Sequence, residues 1–96
     1  MITGITTEGF NFEVNENIGK DFRIVIALRK LNSDDDLKKV EGTYDYAEAV
    51  LGKSGVEALV NFTIDKIGYA DTEFIISQIH EIVGEANEKS AEIKKS

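Results

Sequence analysis

The 96 residues are enough for one domain, and an apolar content of 42% suits one compact core rather than two. With no cysteine, a disulfide framework and a thiolate metal site are both excluded, so stability must come from packed elements or from contacts between copies. Eighteen acidic against eleven basic residues leave a net charge of −7, and the scattered lysines and arginines form no stripe that could follow a phosphate backbone, which argues against a nucleic-acid partner.

The expected fold class is α+β, mainly α. A β-hairpin occupies 1–15, a bundle of about four helices follows over 17–87, and 88–96 is expected to be a polar, flexible tail. The longest apolar runs, such as 24–28, are too short to cross a bilayer, and the N-terminus lacks the pattern of a secretory leader. A cytoplasmic protein with no membrane partner is expected.

In 1–15 the period is two. Phe10, Phe12 and Val14 alternate with Asn11, Glu13 and Asn15, which predicts a strand with one buried face. The β-branched residues before it predict a partner strand, with the turn near Glu8 and Gly9.

Over 17–31 the apolar set is Ile18, Phe22, Ile24, Val25, Ile26, Leu28 and Leu31. Wound as a helix, it covers more than half the circumference and leaves Lys20, Arg23, Ala27 and Lys30 as an exposed strip. That predicts a central helix packed on two sides. A strand also fits, because Phe22, Ile24, Ile26 and Leu28 alternate; helix is the preferred reading.

Asn32, Ser33 and Asp34 offer turn and N-cap chemistry. Leu37, Val40, Tyr44, Ala47 and Leu51 then recur at spacings of three and four, the pattern of a helix face, with Gly42 weakening its middle and Gly52 a natural stop. A third helix is expected from Ser54, with Val56, Leu59, Val60, Thr63 and Ile67 inward, broken at Gly68. Asp71 is the expected N-cap of a fourth, with Ile75, Ile76, Ile79, Ile82, Val83 and Ala86 inward. On that helix Glu73, Ser77, His80, Glu81 and Glu85 are expected to face away.

Catalytic, metal and cofactor residues are not expected. His80 is the only histidine and has no acidic partner at helical spacing, so it reads as a surface residue. Asp34, Asp35 and Asp36 lack the glycine turn and distal glutamate of a calcium loop and read as helix-start acids. Gly52-Lys53-Ser54 resembles the end of a phosphate loop, but position 47 is alanine where the motif needs glycine.

Aromatic residues remain. Tyr44 and Tyr46 lie two apart and cannot share a helix face; Tyr44 fits the apolar stripe, so Tyr46 is expected outside. Phe62 and Phe74 also leave the main stripes of their helices. Together with Ile76, Ile79 and Val83, the residues Tyr46, Phe62 and Phe74 form the expected partner surface, since aromatic residues are enriched in interface cores.

The order of parts carries a family resemblance. It consists of a strand pair bearing Gly-Phe-Asn-Phe-Glu-Val at 9–14, a helix opening with Lys20-Asp21-Phe22-Arg23, and a loop with Asn32-Ser33-Asp34-Asp35. Helices containing Ala49-Val50-Leu51-Gly52 and Gly55-Val56-Glu57-Ala58-Leu59 follow, then a last one with Phe74, Ile79 and Ile82. The chain resembles the small tail assembly chaperones of long-tailed bacteriophages and prophages of Gram-positive bacteria over nearly its whole length. It departs from them at Phe22, where they often have tryptophan, and in ending Lys94-Lys95-Ser96 rather than Lys-Asn-Ser.

The resemblance implies a non-enzymatic factor without cofactors. Such a factor binds the tape measure protein, keeps it soluble while the tail tube assembles, and is absent from the mature virion. It also implies, as further partners, other copies of the chain and a longer form made by frameshifting. The composition keeps open a different expectation, an acidic regulator that imitates DNA and blocks a DNA-binding protein. Lysines interrupt nearly every acidic cluster here, whereas such a mimic needs carboxylates arrayed over one face.

Overall fold

A computed structural model describes residues 1–95. Strand β1 (Ile2–Ile5) pairs antiparallel with β2 (Asn11–Val14), with Ile2 opposite Val14 and Gly4 opposite Phe12. A short 3-10 turn (Ile18–Lys20) leads into α1 (Phe22–Leu31), α2 (Asp36–Ile67) and α3 (Thr72–Lys95).

The hairpin follows its period. Phe10, Phe12 and Val14 are buried, while Asn11, Glu13 and Asn15 are exposed. Its loop is closed by hydrogen bonds from the Gly9 amide to the Thr6 carbonyl and from the Thr6 amide to the Phe10 carbonyl. The helices then hold this loop in place. Glu81 of α3 accepts from the Thr7 amide (2.6 Å) and the Thr7 hydroxyl (2.7 Å), and Lys66 of α2 donates to the Glu8 carbonyl (2.9 Å).

The preferred helix forms over 22–31, starting later than the expected 17. Asp21 caps it by accepting from the Arg23 amide, and Arg23 in turn lowers the pKa of Asp21 through hydrogen bonds to its carboxylate. The expected two-sided packing is overturned. Only Ile24 and Ala27 are buried on α1, while Phe22, Val25 and Ile26 are exposed, because the main neighbour of α1 is α2 on a single side.

Gly42 is the reason Ala27 lies inside rather than on the exposed strip. A β-carbon on Gly42 would stand 2.5 Å from the Leu31 amide nitrogen and 2.9 Å from the Ala27 carbonyl oxygen. Two helix backbones therefore meet where both side chains are small. This close approach turns the Gly42, Tyr46 and Val50 face of α2 inward, at a spacing of four residues.

Among the described residues there are three α-helices rather than about four, because the expected second and third helices run on as one kinked element. Gly52 interrupts the helical backbone where a stop was expected, at φ 73° and ψ 171°, and so divides α2 into two arms across a kink. The first arm of α2 is capped by Asp35, whose carboxylate accepts from the Leu37 amide. The second ends at Gly68 in the left-handed conformation. Asp71 then accepts from the Phe74 amide at 2.9 Å and starts α3 as its sequence position suggests.

The backbone of α3 runs on to Lys95, so the helix does not end near 87. No glycine or proline interrupts it after Gly84. Lys89 pairs with Glu85 one turn back and donates to the Thr3 carbonyl at 2.6 Å, tying this part of α3 to β1. The core joins the hairpin (Ile2, Phe12, Val14) to Tyr46 and Val50 of the first arm, Leu59 of the second, and Ile79, Ile82 and Ala86 of α3.

Candidate functional site

The kink at Gly52 and the turn at Gly68 leave a groove of about 500 Å³ between the first arm of α2 and the pair made by its second arm and α3. Leu31 of α1 and Val40, Tyr44 and Ala47 of α2 line one side. Val56 and Val60 of α2, with Ile75 and Ile76 of α3, line the other. Thr43 and Thr72 add hydroxyls, and Lys39 is the only charged residue in the lining.

Two acids of the first arm of α2 are engaged away from this surface. Lys30 of α1 meets Asp45 at 3.0 Å and Glu41 at 3.8 Å, and the Asp45 carboxylate raises the pKa of Lys30. These ion pairs are exposed and contribute little stability, but they lie on the opposite side of α2 from the groove residues by helical spacing. The Glu48 carboxylate raises the phenol pKa of Tyr44. Val40 is 68% exposed and Tyr44 55%, so the groove is open rather than a closed core.

The expected partner surface is contradicted at two of its six positions. Tyr46 is 1% exposed and Ile79 fully buried, so neither reaches a partner. Phe62 and Phe74 are half-buried in an aromatic cluster. The ring of Phe62 lies 5.4 Å from that of Phe10 and 6.4 Å from that of Phe74, with the Lys66 ammonium 5.7 Å from its centre. Val83 is half-buried against the core. Of the six expected residues, Ile76 alone lines the groove.

Val40 and Tyr44 belong to the site but were expected in the core. Their stripe was visible as apolar periodicity; the signal against its burial was Gly42, which marks the opposite face of α2 as the packed one. Ser77 and Glu73 face outward as expected, and Gln78, next to Ser77, is buried. His80 is exposed, yet its Nδ1 forms a 2.9 Å hydrogen bond with the Tyr46 hydroxyl.

No cluster of three or more histidine, cysteine or carboxylate residues that could hold a metal occurs among the described residues. No helix among them is long and apolar enough to cross a membrane. Comparison with family models, characterised proteins and solved structures finds no match. An open channel with branched apolar walls and a tyrosine at its rim can cover the apolar face of a helix presenting residues at i, i+3, i+4 and i+7.

Proposed function

We propose that this chain is a non-enzymatic tail assembly chaperone that binds the tape measure protein and keeps it soluble in the host cytoplasm while the tail tube forms, then stays out of the mature virion. The observation that carries this reading is the open groove of Val40, Tyr44, Val56, Val60 and Ile76. A long helical client exposes apolar stripes that aggregate in water, and a groove of this kind covers such a stripe.

Closing the groove over a client removes Val40 and Tyr44 from water. Burial of a side chain of this size contributes about 1.5–3 kcal/mol. Tyr44 suits the rim, because it offers a rigid apolar ring while its hydroxyl remains beside Glu48. The net charge of −7 keeps the loaded complex dispersed through self-repulsion. A frameshifted longer form would carry the same groove.

The test is co-purification with the tape measure protein from the same genome. Val40→Glu and Ile76→Glu should reduce capture at least about tenfold, a loss near 1.4 kcal/mol. Capture should also survive high salt, since its core is apolar. Unchanged capture by both variants refutes the groove assignment. Capture that collapses as salt rises refutes apolar client binding and favours the acidic regulator.

A further inference from the structure

One residue of the groove lining sets it apart from a purely apolar receptor. Lys39 is charged, while the other lining side chains are apolar or carry a hydroxyl. Its place along the groove follows from the helix that bears it. Val40, Tyr44 and Ala47 recur at i, i+4 and i+7 on the first arm of α2, so the groove runs along that arm. On this arm Ala47 is the lining residue nearest the kink at Gly52. Lys39 is the farthest from it, about 12 Å beyond Ala47 at 1.5 Å per residue. A helix seated from the kink outward therefore crosses about two turns of apolar wall and then meets a cation.

That cation is unclaimed. Lys30 is held by Asp45 and Glu41, Lys66 by Glu8 and Lys89 by Glu85, but Lys39 has no ion-pair partner among the described residues. Of the two acids one turn before it, Asp35 accepts from the Leu37 amide as the helix cap, and Asp36 forms no ion pair with it. A helix that covers the groove takes the neighbourhood of this ammonium out of water. Covering it with no carboxylate alongside weakens binding, and a facing base weakens it further. The lining thus discriminates between helices of equal apolarity by the charge they carry at one end.

We propose that the groove takes an amphipathic helix bearing an aspartate or glutamate about one turn beyond its apolar stripe. Lys39 pairs with that carboxylate and fixes which end of the bound helix points away from the kink. The inference rests on the groove reading above and adds the charge pattern and direction of the client helix. Most of the affinity stays with the apolar walls, and Lys39 sets the choice among helices.

The test is fluorescence anisotropy of overlapping helical segments of the tape measure protein titrated with the full chain, at about 50 mM and about 500 mM salt. Lys39→Met keeps an unbranched apolar stem and removes the charge, Lys39→Glu reverses the charge, and Ile76→Glu on the other wall serves as the groove control. Position 39 is exposed, so its variants should keep the circular dichroism spectrum of the wild type. Lys39→Met should bind the tightest segment about three- to tenfold more weakly at low salt and equally at high salt. Lys39→Glu should lose more, and exchanging the acid of the segment for lysine should restore its binding.

Lys39→Met binding as tightly as wild type at low salt overturns the proposal, because the lysine would then supply only its stem. So does a charge exchange that restores nothing, or a tightest segment with no acid within a turn of its stripe. In each of these cases a weakened Ile76→Glu leaves the groove reading in place. Unweakened binding by Ile76→Glu, or no binding by any segment, refutes the groove reading and this inference with it.

Discussion

The Tyr46 hydroxyl of α2 lies 2.9 Å from Nδ1 of His80 on α3, and the two rings tilt against each other at a centroid distance of 5.2 Å. This pair joins the first arm of α2 to α3 on the core side of the groove. It buries the tyrosine that spacing alone places outside. Tyr46→Phe keeps the ring and loses the hydrogen bond, so it should cost about 1 kcal/mol in urea unfolding. Tyr46→Ala should cost about 3–5 kcal/mol through the cavity it leaves. Burial raises the Tyr46 pKa above its ordinary value. Its stabilising contribution is therefore complete below about pH 10 and is lost as pH rises through the folded-state pKa, so Tyr46→Phe should show a shallower alkaline loss.

Gly42 and Gly52 should both resist alanine, for different reasons. At Gly42 the backbone is helical, and the obstacle is the backbone of α1 at 2.5 Å. Gly42→Ala should destabilise by about 1–3 kcal/mol despite the better helix propensity of alanine. The change should also loosen α1, seen as faster hydrogen exchange of the Ala27 and Leu31 amides.

A β-carbon on Gly52 meets no atom within 4 Å, so contact is not the obstacle. Its backbone, at φ 73° and ψ 171°, lies in a region that side chains avoid. Gly52→Ala should cost about 1–3 kcal/mol. If the kink relaxes toward a continuous helix, the groove walls separate and client capture falls further than the stability loss explains. Thermal unfolding and capture measured on the same variant check both effects.

Gln78 is 3% exposed, and its Oε1 has no hydrogen-bond partner among the described residues. An orphaned acceptor of this kind costs about 1–3 kcal/mol. Gln78→Met fills similar space without the carbonyl, so it should leave stability unchanged or raise it by about 1 kcal/mol in urea unfolding.

Local signals in the sequence were strong where one residue decides one conformation. Alternation of Phe10, Phe12 and Val14 located β2, Asp71 located the start of α3, and Gly52 and Gly68 located the bends of the chain. The inward face of α2 was not legible in the same way. Apolar periodicity points to Val40 and Tyr44, but a glycine contact between two helix backbones carries no apolar signal, and Gly42 decides the packing. The site was missed for the same reason. A stripe read as core is the wall of an open groove, and Tyr46 and Ile79, read as partner-facing, are packed inside.

Amide and methyl chemical-shift mapping, with isotope-labelled chain titrated by helical segments of the tape measure protein, tests the central claim most directly. The account predicts shifts concentrated at Val40, Tyr44, Val56, Val60 and Ile76, with the solvent face of the hairpin at Asn11 and Glu13 unmoved. Shifts centred away from the groove, or no shift with any segment of the client, would contradict it.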